Sequence, residues 1–303
     1  MEFNFLKLVF TFSLAADTYD PHILFGMRAA FAESFRRAVG CGCTNCPVCP
    51  QIPSCPYHQI FSQAIGTDPS AVKRFQKPPL PFVFDLLPLP PVPNRGRTVE
   101  IGLTLAGPAA NHVSYFLDAV GLLFRHWESI GKLVTAFEKV ESVDYAGNRT
   151  VVAERGGRAS LDRLFTLSLD GLLKSAVFSS DTVRITILTP LCLVGEGRPV
   201  KKLSFSALIR NLFRRESAIA YYYGGLDREL DYKWLSRRSS EIILLRNEFS
   251  WVEWSKSLYG VVGSGTFAGD LTDFLPFLLF GSYFHAGKGA AYGLGCYRLE
   301  NAD

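Results

Sequence analysis

The sequence lacks three features that would place it in a class at once: a long uncharged apolar run, a strong charge imbalance and an even set of cysteines. No stretch reaches the roughly 18 uncharged apolar residues of a membrane span, so no membrane segment is expected. Lysine and arginine (32) nearly balance aspartate and glutamate (28), and a net charge of +4 gives no global attraction to polyanions. Seven cysteines cannot all pair, which argues against a closed disulfide framework. We therefore interpret the chain as cytoplasmic, with any basic surface arising from local clustering.

The start of the chain has two interpretations. Residues 8–16 are apolar and Ser13-Leu14-Ala15 resembles a cleavage site, which would make this a secreted disulfide protein. Against that, the leader holds one lysine and one glutamate, so its beginning carries no positive charge. The dense apolar pattern over residues 5–13 instead predicts a first strand buried on both faces. The strand is the interpretation we favour, and the secreted protein is kept as an alternative.

Hydrophobic patterning predicts the same succession of elements twice: strand, helix, strand, strand, helix, strand. The first series begins with a strand at 5–13 and a helix at 23–39, and the second ends with a helix at 271–284 and a strand at 293–300. This βαββαβ order is that of the ferredoxin-like, RRM-like unit. We predict an α+β protein with two tandem ferredoxin-like domains, at 1–160 and 178–303. A Cys-rich insertion at 40–58 is expected in the first.

The second predicted helix, within residues 109–131, has an apolar stripe at helical spacing. We expect its inward-facing side chains to be Val113, Phe116, Leu117, Val120, Leu123, Phe124 and Trp127.

The chain closes on "HAGKGAAYGLGCYRLENAD", which has four glycines within nine residues. Neither common nucleotide pattern fits. The dinucleotide motif GxGxxG would need glycine at Tyr292, and the phosphate-loop motif would need glycine at Ser282 and a hydroxyl residue at Gly289. The loop instead joins the last predicted helix to the last predicted strand.

Five cysteines crowd into "CGCTNCPVCPQIPSC". Cys46 and Cys49 form a CxxC pair and Cys55 follows, and tetrahedral zinc takes four such soft ligands. The fourth ligand is Cys41 or Cys43, with His58 as a substitute. We predict a structural zinc held by Cys41, Cys46, Cys49 and Cys55, with no role in chemistry. Reduced surface thiols are the alternative.

A doubled ferredoxin-like chain that ends in GKGxxxGLGxY resembles the RAMP superfamily of CRISPR-associated proteins. The stretches "CTNCPVCPQIPSCPYHQIF", "KPPLPFVFDL", "IGLTLAG" and "FSALIRNLFRRES", in this order, resemble its pre-crRNA processing endoribonucleases. The resemblance implies binding of CRISPR repeat RNA and one cut per repeat of the precursor crRNA. The cut requires no metal cofactor, because the ribose 2′-hydroxyl attacks the phosphate and leaves a 2′,3′-cyclic phosphate and a 5′-hydroxyl.

The glycine-rich segment is the first candidate RNA-binding element, because small residues let a phosphate approach main-chain donors closely. Its alternative is a tight helix-to-strand connection. The second candidate RNA-binding element is the basic face of the helix predicted within residues 203–217. Its alternative interpretation is a solvated helix face. The candidate RNA-binding residues are Gly287, Lys288, Gly289, Tyr292, Gly293, Gly295, Arg210, Arg214 and Arg215.

Three residues are candidates for acid–base catalysis. His22, beside Tyr19, opens the first helix, where the resemblance implies a catalytic histidine, although the helix proper contains none. His285 stands at the start of the glycine-rich segment, and an imidazole titrates near neutral pH. The main alternative is a non-catalytic RNA-binding RAMP subunit of a CRISPR effector complex. The expected partners are repeat RNA and an effector complex, and the sequence leaves a homodimer open.

Overall fold

The computed structural model describes residues 3–43, 46, 49–65, 77–225 and 230–302. The chain divides into two compact units. The N-terminal unit comprises Phe5–Phe82 and Pro88–Thr166, and the C-terminal unit comprises Met1–Asn4, Val83–Leu87 and Leu167–Asp303. Each unit contains an antiparallel sheet with helices packed on it, so the mixed α/β class predicted from the sequence is confirmed.

The first part of the chain, up to residue 166, alternates strands and helices. Its elements are β1 (Asn4–Leu14), α1 (Met27–Ala38), α2 (Pro56–Phe61), β2 (Phe82–Asp85), β3 (Thr98–Ala106), α3 (Val113–Ser129), β4 (Thr135–Val143) and β5 (Arg149–Glu154). The sheet order is β2-β3-β1-β4-β5. The central strand β1 pairs antiparallel with β3, from Phe5–Ala106 to Ser13–Thr98, and with β4 on its other side.

An aromatic cluster holds α1 and α3 together. Met27, Phe31 and Phe35 recur every four residues along α1 and are fully buried, because this spacing puts them on one face. Phe35 meets Phe116 of α3 edge to face, with ring centroids 4.9 Å apart. Burial of each such ring contributes about 1.5–3 kcal/mol. The helix ends before Gly40, whose positive φ stops it.

The second part of the chain repeats the alternation. Its elements are β6 (Thr166–Ser168), α4 (Leu169–Ser175), β7 (Thr182–Leu191), β8 (Val194–Gly195), β9 (Arg198–Pro199), α5 (Phe205–Gly224), α6 (Tyr232–Arg238), β10 (Ile243–Asn247), β11 (Ser250–Ser255), β12 (Leu258–Ala268), α7 (Leu275–Phe284) and β13 (Tyr297–Glu300). The sheet order is β10-β12-β7-β13, with β11 also on β12. Ser204 caps α5 by accepting a hydrogen bond from the Ala207 N–H (3.2 Å), and left-handed Gly225 ends it.

Most predicted elements are confirmed, including the strand at the start of the chain. Three differences are instructive. Residues 241–255, whose pattern predicts one strand, form two strands, β10 and β11, because the pairing with β12 is interrupted at Glu248 and Phe249. Residues 145–177, expected to be a junction, contain β5 and α4. Leu117 is only half-buried, although its apolar partners on α3 are buried. No helix of the described residues is long and apolar enough to cross a membrane.

Candidate functional site

The glycine-rich loop, residues 285–296 between α7 and β13, is held by backbone hydrogen bonds to its own unit. The Lys288 N–H donates to the Cys192 carbonyl (2.9 Å) and the Gly287 N–H to Asn211 Oδ1 (2.8 Å). Thr189 Oγ1 donates to the Gly293 carbonyl (2.6 Å) and accepts from the Cys296 N–H (2.9 Å). The loop therefore has a fixed conformation, and most of its N–H groups are already used.

Two of the glycines are required by packing against protein. Gly295 has φ +64° and a Cβ there would overlap the Ala286 carbonyl oxygen. Gly287 has φ +76° and a Cβ would lie 2.7 Å from the Cys192 carbonyl oxygen. The two interpretations of the segment, close approach of a phosphate and a tight helix-to-strand connection, are thus not exclusive, because these two positions serve the connection.

Three consecutive N–H groups follow Lys288 in a turn whose middle residue, Ala290, is buried. Among the described residues, the N–H groups of Gly289, Ala290 and Ala291 have no hydrogen-bond acceptor. Lys288, directly before them, is the loop's exposed cation. The Phe84 N–H donates to the Ala291 carbonyl (3.0 Å), and Phe84 forms an isolated parallel β-bridge with Tyr292. These two contacts hold the C-terminal end of the same turn. A run of unsatisfied N–H groups beside a lysine is a favourable place for an anion.

His285 lies inside the protein rather than at the surface. It is completely buried, with φ +56°, and its Nε2 lies 2.9 Å from Asp85 Oδ1. Neither ring nitrogen makes a well-aligned hydrogen bond within the described part of the chain, so the contact is a close charge pair. Burial by itself lowers the pKa of His285, but Cys296 and Asp85 outweigh it and raise that pKa to about 9. A buried imidazolium suits anchoring of the loop better than proton exchange with a substrate.

The stability that this pair provides is expected to depend on pH. The raised pKa of His285 means that its contribution is fully present below its usual pKa of 6.5 and is lost as pH rises through about 9. Urea unfolding of wild type and His285→Gln will give a difference in unfolding free energy that is largest near pH 6 and shrinks by pH 10. His126→Gln, exposed at the end of α3, is the control. A difference that stays constant across this range contradicts the charge pair.

The three candidate arginines of the basic helix α5 differ in exposure to solvent. Arg210 and Arg214 are exposed, one turn apart. Arg215 turns inward, and its Nε donates to the Phe284 carbonyl (2.7 Å) at the end of α7. Although part of the residue remains exposed, the guanidinium is enclosed, and burial lowers the pKa of Arg215 to about 10. Arg210 and Arg214 are available to a ligand, while Arg215 supports the start of the glycine-rich loop.

Tyr19 and His22 belong to the N-terminal unit, whereas His285 and the glycine-rich loop belong to the C-terminal unit. Tyr19 is 83% exposed. His22 is half-buried at the start of a short 3-10 turn, Ile23–Gly26, that leads into α1, and its backbone N–H donates to Asp20 Oδ1 (2.9 Å). Burial lowers the pKa of His22, and this effect outweighs the negative charge of Asp20, which raises that pKa. The lowered pKa favours the neutral imidazole, the state that a general base needs.

The structure does not support the predicted zinc site. Cys41, Cys43, Cys46, Cys49 and Cys55 are all free and partly exposed. Residues 44, 45, 47 and 48 lie outside the described residues. Among those that are described, no group of three or more His, Cys, Asp or Glu side chains could hold a metal ion. The zinc site at Cys41, Cys46, Cys49 and Cys55 therefore stays a prediction, and no step of the chemistry is assigned to a metal there.

Sequence reasoning missed Asp85, Asn211 and Thr189, the three side chains that hold the glycine-rich loop. Asp85 carried a signal, because it is the acidic residue in the apolar run "FVFDLL". A carboxylate in a buried strand usually has a partner. Asn211 and Thr189 carried none, since their partners are main-chain groups far along the sequence.

Two family models match the sequence and together cover most of it. The model AF_1859_N, described as an N-terminal domain, matches residues 4–163, which is more than half of the chain. The model CRISPR_Cas6, described as CRISPR-associated endoribonuclease Cas6, matches residues 185–297, which include α5, α7 and the glycine-rich loop.

Residues 185–297 thus match the Cas6 family, and the chain is Cas6-like in this part.

Solved Cas6 structures share the fold of this Cas6-like chain at low sequence identity. A Cas6 product complex has a TM-score of 0.58 and 14% identity, covering 98% of this chain and 100% of that one. Thermus thermophilus Cas6 has a TM-score of 0.54 and 15% identity, covering 99% and 100%. A partial Cas6-RT-Cas1–Cas2 complex has a TM-score of 0.60 and 13% identity, covering 99% of this chain but 46% of that one. The Cas6-like chain thus spans under half the length of that match. No curated protein matches the sequence.

The Cas6 match confirms the resemblance to CRISPR RNA-processing endoribonucleases. The matched residues, 185–297, all lie in the C-terminal unit. The individual catalytic and RNA-binding residues stay predictions.

Proposed function

We propose that this Cas6-like protein is a metal-independent endoribonuclease that binds CRISPR repeat RNA and cuts precursor crRNA. The observation that carries the proposal is the turn at Gly289, Ala290 and Ala291, whose N–H groups have no acceptor within the described residues, inside the stretch that matches the Cas6 endoribonuclease family. Such donors bind a phosphate oxygen and stabilise the charge that develops on it.

The reaction needs one nucleophile, one base and one acid. The ribose 2′-hydroxyl oxygen forms a bond to phosphorus while the bond from phosphorus to the 5′-oxygen breaks. The base takes the 2′-hydroxyl proton, and the acid gives a proton to the leaving 5′-oxygen. The products are a 2′,3′-cyclic phosphate and a 5′-hydroxyl. We assign the base to His22, because it precedes the turn that leads into α1, where the resemblance implies a catalytic histidine, and because its lowered pKa favours the neutral form.

The remaining candidates divide by exposure. Lys288 supplies a positive charge next to the three N–H groups, and Tyr292 presents a partly exposed ring on which a base can stack. Arg210 and Arg214 extend the basic surface along α5. Tyr19 is exposed enough to contact RNA or to donate a proton. His285 and Arg215 act through the loop, because both groups are enclosed by protein.

Both parts of the chain are proposed to be ferredoxin-like domains with the RRM topology. The β13-β7-β12-β10 order of the second sheet, with α5 and α7 as its crossing helices, is the order that a βαββαβ unit gives. The β4-β1-β3-β2 order in the first sheet, with α1 and α3, supports the same assignment.

A non-catalytic RNA-binding subunit of an effector complex is the second candidate function. The depth at which His285 is buried favours it, because it removes one of the two histidines predicted to exchange protons. Both candidate functions include RNA binding, and only the endoribonuclease cleaves the bound RNA. Association with a CRISPR complex is proposed for either, as one similar structure is named a Cas6-RT-Cas1–Cas2 complex.

Cleavage of an end-labelled repeat RNA from the host's own CRISPR array, by purified protein in excess EDTA, tests the proposal. A single cut is expected, and it disappears when the ribose at the cut carries 2′-deoxy, because the nucleophile is then missing. The deoxy RNA should still bind with a similar Kd. Tight binding without a cut supports the non-catalytic subunit, and no binding contradicts both candidates.

A further inference from the structure

A groove in the N-terminal unit lies outside every element assigned so far. It runs between α3 and strands β1, β4 and β5, and its volume is about 420 Å³. This falls within the roughly 300–1,000 Å³ of ligand sites. Neither the glycine-rich loop nor His22 contributes to it.

The floor of the groove is aromatic. Phe12 stacks on Phe124 with ring centroids 4.3 Å apart and meets Phe137 edge to face at 5.8 Å. Phe10 lies beside Phe12 on the same strand, 6.5 Å away. Phe137 and Leu117 are only half-buried, so the groove leaves part of this apolar surface in contact with solvent. Burial of that surface by a ligand is favourable.

One wall of the groove is a straight stripe along α3, at alternating spacings of four and three residues: Ser114, Asp118, Gly121, Arg125 and Glu128. At about 1.5 Å per residue, this stripe is about 21 Å long. Gly121 leaves open space in this wall because it has no side chain. The nearest atom to a Cβ at this position would be Arg125 Nη1, at 3.5 Å. The opposite wall has small residues, Gly157 and Ala159.

The rim is acidic. Asp118, Glu128 and Glu154 line the groove and are exposed, against the one basic lining residue, Arg125. None of these four side chains forms an ion pair with any residue that the structure describes. The rim thus carries a net charge of −2 in a chain whose total is +4. Carboxylates around the half-buried Phe137 and Leu117 attract a cation that has an apolar body.

We propose that this groove binds an extended basic peptide segment of a partner protein, with apolar side chains on the aromatic floor and flanking Lys or Arg side chains at Asp118, Glu128 and Glu154. The length of the stripe favours a peptide over a small molecule, because about 21 Å accommodates about six residues of extended chain. The negative charge of the lining residues favours a basic peptide over RNA, because three carboxylates repel phosphate groups. The site is independent of RNA cleavage and provides a surface for assembly with another protein.

The test is fluorescence polarisation of the full-length protein with a defined set of labelled hexapeptides. Each has two apolar residues at the centre and Lys or Arg at the other four positions. Saturable binding is expected for members of this set and not for matched peptides with Glu or Asp at the flanks. Gly121→Leu, which fills the groove with a better helix former, should abolish binding. Asp118→Asn/Glu128→Gln/Glu154→Gln should weaken it about tenfold or more, since three attractive charges are lost.

Two controls make the result specific. Glu33→Gln/Asp162→Asn removes exposed charges outside the groove and should leave peptide binding unchanged. Gly121→Leu should cut repeat RNA at the wild-type rate, which also shows that it folds. The proposal is overturned if no basic peptide binds, if acidic peptides bind equally well, or if Gly121→Leu leaves binding intact. It is also overturned if the triple variant changes the affinity for repeat RNA instead, because the groove would then be an RNA surface.

Discussion

Gly295→Ala is expected to destabilise the C-terminal unit by about 3 kcal/mol or more. An alanine at φ +64° costs about 1–2 kcal/mol from conformation alone, and its Cβ would also overlap the Ala286 carbonyl oxygen. That carbonyl belongs to backbone next to buried His285, so the clash is not relieved by a side-chain rotation. Urea unfolding followed by tryptophan fluorescence measures the change, since Trp234, Trp251 and Trp254 all lie in this unit.

Gly197→Ala is the matched control for that prediction. Gly197 has φ +76° in the same unit, but no heavy atom lies within 4 Å of the position of a Cβ. Both substitutions restrict the unfolded chain equally, so the difference between them reports the clash alone. We expect Gly197→Ala to cost about 1–2 kcal/mol. Equal costs for the two variants would show that the loop relaxes around the added methyl group, and that its glycines are not fixed by packing.

His22→Ala is expected to slow cleavage of repeat RNA by about 10²- to 10⁴-fold with little change in Kd, because a general base contributes to the transition state and not to binding. The lowered pKa of His22 predicts a wild-type rate that falls on acidification below its usual pKa of 6.5, as the imidazole becomes protonated. Single-turnover cleavage from pH 5 to 8 measures both effects. In His22→Ala this acidic limb should be absent.

His126→Ala serves as the control for His22, because His126 is exposed on the last turn of α3. It should cut RNA at the wild-type rate. If His22→Ala also cuts at that rate, His22 is not the base, and exposed Tyr19 becomes the next candidate. If His22→Ala weakens RNA binding as much as it slows the cut, His22 contacts RNA without transferring a proton.

Local patterns in the sequence predicted the strands and helices well where they were strongly periodic. The helix predicted at 23–39 includes α1, and the apolar stripe within residues 109–131 predicted α3, because burial on one face imposes this period directly. Short elements such as α2 and α6 were missed. Each has only six or seven residues, too few to show a period, and packing against longer neighbours decides their conformation.

The cysteines show what spacing along the chain leaves open. Five cysteines in fifteen residues have the composition of a zinc knuckle, but a metal site requires side chains to converge in space. The described residues show no such group. Spacing along the chain limits which ligands can meet and does not make them meet.

The sequence by itself determined the succession of elements, the glycine-rich loop between the last helix and the last strand, and the resemblance to CRISPR endoribonucleases. These are local in the chain, so nearby residues carry them. Only the tertiary structure decided that His285 is buried against Asp85, 200 residues earlier, and that Arg215 points inward while Arg210 and Arg214 face solvent. Which residues meet across a fold depends on how whole elements pack, and the pattern of one segment contains no information about the partner that another segment brings to it.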